Sequence, residues 1–351
     1  MNCYGDKPSW FWAMQPSGGI PVGRLDDAVI KESNDILYAL EDAYPERPLL
    51  PPRDSPAFAR VRPLLTLERE LFSSWFRWLT SSMSNAAQEA NFRSVLGRVE
   101  AELAVGGGPY FLGSELSLVD CMFAPFLERM AASLPYYKAL PLRRQPEWPC
   151  LERWFLAMEA RPSYRHIQSD FYTHVHDLPP QVGRCAAVPE AAAFADAIDG
   201  TDGSWALPLP QDEGELLEPL EGLAQDAGAA AREAAERVLA NHADVTRFAT
   251  RGAGRAGFPP VSAPLSDPNA TPEEAAAPLV DVALRHVTHA LLAGAAEAGD
   301  RFSPGLDAPT ATKTLGYLRD RVSVPRDMGY PAARQLRAHL NWAIERASSA
   351  S

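Results

Sequence analysis

The sequence predicts an α+β chain, in which a short mixed segment precedes two blocks that are helical throughout. Three observations carry that reading. Two brief apolar runs flank a tight turn near the front. Leucines and tryptophans recur at helical spacing between residues 57 and 167, and apolar residues do so again beyond residue 231. Between the blocks, Cys185 to Ala231 holds ten acidic residues and no Lys or Arg. A length of 351 residues allows about two domains.

Along the chain, "SWFWAM" (Ser9 to Met14) follows Pro8 and reads as a short aromatic helix. The runs "GIPV" and "AVI", separated by "GRLDD", form the pattern of a tight hairpin. "ESNDILYALEDAY" then places Ile36, Leu37, Leu40 and Tyr44 at helical spacing. Five prolines between Pro45 and Pro56 break any regular element and mark a linker or domain border. Beyond it, Leu64, Leu67, Leu71, Trp75 and Trp78 or Leu79 keep the rhythm of one buried helical face. A second helix is predicted over Asn85 to Val105, ending at the Gly106–Gly108 triplet. Ser117-Leu118-Val119-Asp120 is a capping box, with Leu116 and Cys121 placed as its hydrophobic staple. A further helix runs from about Cys150 and ends before Pro162.

The acidic stretch reads as a solvated connector. After it, three apolar faces recur: Val280, Leu284, Val287 and Leu291; Leu315, Leu318 and Val322; Leu336, Leu340 and Ile344. They predict a C-terminal module of four or five helices. "SVPRDMGYPAARQL" is unusual in composition and is expected to bury something.

Composition excludes several classes. With 46% hydrophobic and 22% charged residues, the chain is of globular character. A net charge of −12 argues against a nucleic-acid partner, which selects a basic face. No apolar run approaches the roughly 20 residues of a membrane helix, so no membrane partner is expected. The first residues lack the basic and apolar regions of a secretory signal. Cys3, Cys121, Cys150 and Cys185 show no CxxC and no paired spacing, which fits a reducing compartment and gives no zinc site. No metal is expected elsewhere: the two histidines of "THVH" (Thr173 to His176) read as a loop, and those of "NHADVTRF" and "RHVTHA" as satisfied helix positions.

Three stretches together resemble the glutathione transferases. "PSGGIPVGRLDDAVIKESNDIL" is similar to the family's third and fourth strands and third helix, "YFLGSELSLVDCMFAPFLERM" to its sixth helix with the entry loop, and "WPCLERWFLAMEARPSY" to the helix after that. "DKPSWF" and "DCMFAPFLERM" resemble the omega, lambda and dehydroascorbate-reductase side of the family, and "NCYGDKP" a related plant and algal group. The resemblance implies an incomplete thioredoxin-like domain over 1–46 and an all-helical transferase C-terminal domain over 57–178. An acidic linker over 179–230 and an additional helical module over 231–348 would follow.

Glutathione is the implied co-substrate, with a small electrophile or disulfide as second substrate, conjugation or thiol transfer as the reaction, and a homodimer as the assembly. Residence is expected in the cytoplasm, or in a plastid if a transit peptide precedes Met1. In the family, the backbone at the Ile20–Pro21 position holds the cysteinyl part of glutathione. The Glu32–Ser33 position receives the γ-glutamyl group, and Lys7 corresponds to a partner of the glycyl carboxylate. The residues alone leave each of these open: Pro21 as an ordinary trans proline, Glu32 and Ser33 as a plain helix start, Lys7 as a solvated lysine. An X-Pro bond reaches the cis form at a cost of only ~0.5–1 kcal/mol, and a helix start favours a carboxylate.

The family's catalytic Tyr, Ser or Cys lies on a βα unit that has no counterpart in this sequence and is expected upstream of Met1. Cys3 is not a positional match. The alternative expectation is a non-catalytic binding or scaffold protein on the same fold.

Overall fold

Asp26 and Asp27 close a two-residue turn between strands β1 (Gly23–Leu25) and β2 (Ala28–Ile30). The strands pair antiparallel, with Gly23 opposite Ile30, Arg24 opposite Val29 and Leu25 opposite Ala28. Asp26 adopts φ 51°, a left-handed conformation that Asp tolerates better than most residues. The computed structural model describes residues 7–81, 86–210, 217–219, 226–258, 265–299 and 307–349. It falls into two units: Met1–Trp78, Asn85–Leu127 and Pro146–Ala157 in one, and Leu79–Ser84, Glu128–Gln145 and Met158–Ser351 in the other.

In the first unit the hairpin is preceded by helix α1 (Ser9–Met14) and followed by α2 (Ser33–Ala43). The strand expected at "GIPV" is displaced: Ile20–Pro21 is a cis peptide in the approach loop, and the ladder begins at Gly23. A proline has no N–H to give a ladder. Helix α2 lies against β1, where Ile36 packs within about 3.4 Å of where a Cβ at Gly23 would stand. None of α2 is fully buried, and Leu40 and Tyr44 are exposed. A two-stranded hairpin has too little apolar surface to cover the predicted face.

The proline-rich segment is tied down. The Glu41 carboxylate accepts from the N–H groups of Leu49 and Leu50, each at 2.8 Å, and Leu118 N–H donates to Leu49 O at 3.0 Å.

Helices α3 (Pro56–Thr80), α4 (Ala86–Val105), α5 (Leu118–Lys138) and α6 (Pro149–Glu159) follow. The predicted face of α3 is buried from Leu64 to Leu79, both Trp78 and Leu79 included. Within this unit, Trp78 packs on Phe92 of α4 with ring centroids 5.5 Å apart, and Phe111 stacks on Phe123 at 4.1 Å. Asp120 organises the start of α5. Its fully buried carboxylate accepts from Ser117 N–H (2.8 Å), Ser117 Oγ (2.6 Å), Phe111 N–H (3.1 Å) and Trp154 Nε1 (3.0 Å). The capping box therefore also latches α6.

The second unit adds α7 (Pro162–Arg165), α8 (Phe171–Val182), α9 (Ala192–Asp199), α10 (Ala227–Ala240), α11 (His242–Ala249), α12 (Ala277–Ala293), α13 (Ala295–Gly299), α14 (Ala308–Arg319) and α15 (Tyr330–Ser349). "THVH" is not a loop: it lies inside α8, which Asp170 caps by accepting from Thr173 N–H at 3.0 Å. The reading of the acidic stretch as a connector is corrected over residues 189–205. Helix α9 forms there, and Ile198 and Trp205 are buried. Alternating acids and apolar residues gave α9 one water-facing and one buried side.

Beyond residue 226 the described residues form six helices where four or five were expected, the extra one being the short α13. All three predicted apolar faces enter one core, with Ile344 only partly covered. The unusual "SVPRDMGYPAARQL" segment carries a cis Val324–Pro325 bond and buries Val324, Met328 and Arg334.

Candidate functional site

The hairpin places two of the predicted site elements at one end. Ile20 lies three residues before Gly23 and Ser33 three residues after Ile30, and Gly23 and Ile30 face each other across the ladder. The Ile20–Pro21 peptide and the start of α2 therefore leave the same open end of the hairpin. The cis bond expected at Pro21 is present. Ile20 is 52% exposed, and among the described residues nothing bonds to its backbone N–H or C=O. A peptide-like ligand meets there a donor and an acceptor that the chain has left free.

Ser33 is the first residue of α2 and Glu32 its N-cap, with no side-chain capping bond, and both are exposed. The Glu32 carbonyl accepts from Ile36 N–H at 2.9 Å. The first-turn N–H groups and the Ser33 hydroxyl can thus donate to an external carboxylate, as a helix start does. Asp35 shares the same turn and partly offsets that field.

Lys7 is brought to the first of these elements. Its ammonium donates to Gly18 O at 2.8 Å and sits 5.7 and 5.8 Å from the ring centroids of Phe11 and Trp12. Three donors on the ammonium leave two for a ligand. Gly18 has φ 75°, and a Cβ there would come within 2.9 Å of the Trp12 ring. The loop accepts only glycine at this point, for conformation and for space. Trp12 and Gly18 were not predicted as site residues; the dense aromatic run and the Gly-Gly pair were their signal.

The thiols of Cys150 and Cys185 are poor nucleophiles. Burial, then the neighbouring Glu100, pushes the Cys150 thiol up, and burial pushes Cys185 up to about 11. Cys3 lies outside the described residues. The histidines of α8 are each spent on one carboxylate: His174 Nε2 lies 2.8 Å from Glu128 and His176 Nε2 2.9 Å from Asp199. Among the described residues no group of three metal-ligating side chains forms, and no helix is long and apolar enough to cross a membrane.

Residues 3–48 match the family model described as glutathione S-transferase, N-terminal domain, and residues 82–157 match the glutathione S-transferase, C-terminal domain. The chain is 32% identical over 133 residues to glutathione S-transferase DHAR2 of Arabidopsis thaliana, covering 38% of this chain and 58% of that protein. It is 29% identical over 179 residues to glutathione S-transferase omega-1 of Sus scrofa, covering 49% and 71%. The chain spans about half the length of the plant relatives it matches. Among solved structures, the trimeric glutathione transferase TDR1 of Leishmania aligns with a TM-score of 0.45 at 21% identity, over 55% of this chain and 42% of that one.

Proposed function

We propose that this chain, whose residues 3–48 and 82–157 match the glutathione S-transferase N- and C-terminal domain models, is a glutathione transferase of the omega-like side and binds glutathione on the open end of its β1–β2 hairpin. The single observation that supports the reading best is the shared placement of a free Ile20 peptide and an uncapped α2 start. In the bound state the Ile20 backbone pairs with the cysteinyl unit of glutathione. Ser33 and the first-turn N–H groups of α2 receive the γ-glutamyl carboxylate, Glu32 accepts from its ammonium, and Lys7 meets the glycyl carboxylate.

The chemistry is glutathione conjugation or glutathione-dependent thiol transfer, on a small electrophile or disulfide. The described residues bind and orient the tripeptide; the thiols of Cys150 and Cys185 are not activated to attack. The assembly is a homodimer in the cytoplasm, with no metal. The test is titration of glutathione into the full chain, alongside conjugation and thiol-transfer assays. Saturable binding that falls when Ser33 becomes Ala supports the site. A chain that neither takes up glutathione nor turns over either substrate class rules the reading out.

A further inference from the structure

The geometry points to a second small-molecule site in the C-terminal helical module, taking a small monocarboxylic acid with an apolar tail. A cavity of about 510 Å³ opens between α10, α11, α14 and the start of α15. That size is within the range of small-ligand pockets. Its apolar wall is made by Val245, Phe248, Val322, Met328 and Leu336.

Polar groups converge at one edge of this wall, and their bonding is uneven. Arg326 is already neutralised, since it holds Asp327 in a two-pronged contact at 2.9 and 2.8 Å, and Asp327 also accepts from Ser323 N–H at 2.8 Å. Arg237 lines the cavity from the last turn of α10, and no described residue pairs with its guanidinium. Arg321 lies over the Tyr317 ring and donates to Tyr317 O at 3.2 Å, but its nearest carboxylate, Asp267, is 4.0 Å away. The Arg321 Nε is buried without a hydrogen-bond partner. An anion at this edge would meet the Arg321 Nη groups, whose nearest carboxylate is 4.0 Å away. Three carboxylates lie near this edge: Asp327 is held by Arg326, Asp267 stands 4.0 Å from Arg321, and Asp244 sits in the first turn of α11, where the helix end offsets it.

An apolar wall with two under-used guanidiniums at its rim selects a carboxylate head and a hydrocarbon tail. This site is separate from the proposed glutathione seat, and it stands or falls without it. The test is calorimetric titration of octanoate, and of octanol as the uncharged counterpart, into the full chain in the absence of glutathione. Octanoate should bind saturably and more tightly than octanol. Arg237→Gln, at an exposed position that leaves folding intact, and Arg321→Gln should each weaken octanoate about ten-fold, the scale of one charge-assisted hydrogen bond, and leave octanol unchanged. Ser33→Ala should not alter octanoate binding. Absence of saturable uptake, equal affinity for octanol, indifference to both arginine variants, or loss in Ser33→Ala would each overturn the assignment.

Discussion

Arg337 of α15 donates from Nη1 to Asp170 Oδ2 at 2.6 Å, and the two side chains are 1% and 0% exposed. The guanidinium also donates to Val322 O at 2.8 Å and lies beside the Tyr172 and Trp205 rings, 4.5 and 4.9 Å from their centroids. The same Asp170 caps α8, so one carboxylate serves a helix start and a core ion pair 167 residues away. The aromatic rings replace part of the water the cation has lost.

Removing one partner of this pair leaves the other charged and buried. Arg337→Met is expected to lower the stability of the second unit by about 3–5 kcal/mol, and combining it with Asp170→Asn to recover part of that loss. Urea denaturation followed by circular dichroism checks both. A single substitution costing under about 1 kcal/mol would contradict the account.

Asp120 predicts a comparable loss in the first unit. Asp120→Ala leaves the N–H groups of Ser117 and Phe111 and the indole N–H of Trp154 without an acceptor. A loss on the order of 3–5 kcal/mol follows from several buried donors left unmade. Thermal unfolding, with tryptophan fluorescence reporting α6, measures it.

Glu218 carries a pH prediction. Burial first, and then the neighbouring Asp170, pushes its carboxyl well above the usual range. A carboxyl whose folded pKa exceeds its unfolded value of about 4.3 destabilises the fold while ionised. That penalty is present above the folded pKa and fades as pH falls toward the unfolded one. Glu218→Gln should therefore melt higher than the parent at pH 8, with the difference shrinking as pH drops toward 4.5. A difference that grows on acidification would reverse the sign.

The proposed glutathione seat separates binding from stability. Ser33 and Glu32 are exposed and make no side-chain capping bond. Ser33→Ala and Glu32→Gln should each weaken glutathione about 10- to 100-fold, as loss of one hydrogen bond to a charged group does, with thermal unfolding unchanged. Lys7→Gln should behave similarly in binding, and it also releases the Gly18 carbonyl.

Local chemistry was legible in the sequence. Helix periodicity marked the buried faces of α3 and α12, and the Ser117–Asp120 spacing marked the cap of α5. The Ile-Pro dipeptide and the Glu-Ser helix start marked the two halves of the proposed seat. These signals lie within a few residues, where backbone sterics and spacing act directly. What the sequence did not reveal depends on distant partners. Nothing near Asp170 announces Arg337, and no run of residues shows that Trp205, inside an acidic stretch, closes over that cation. Whether "GIPV" was strand or loop turned on where Gly23 found Ile30. Burial is a property of what packs above a residue, and only the tertiary structure decides that.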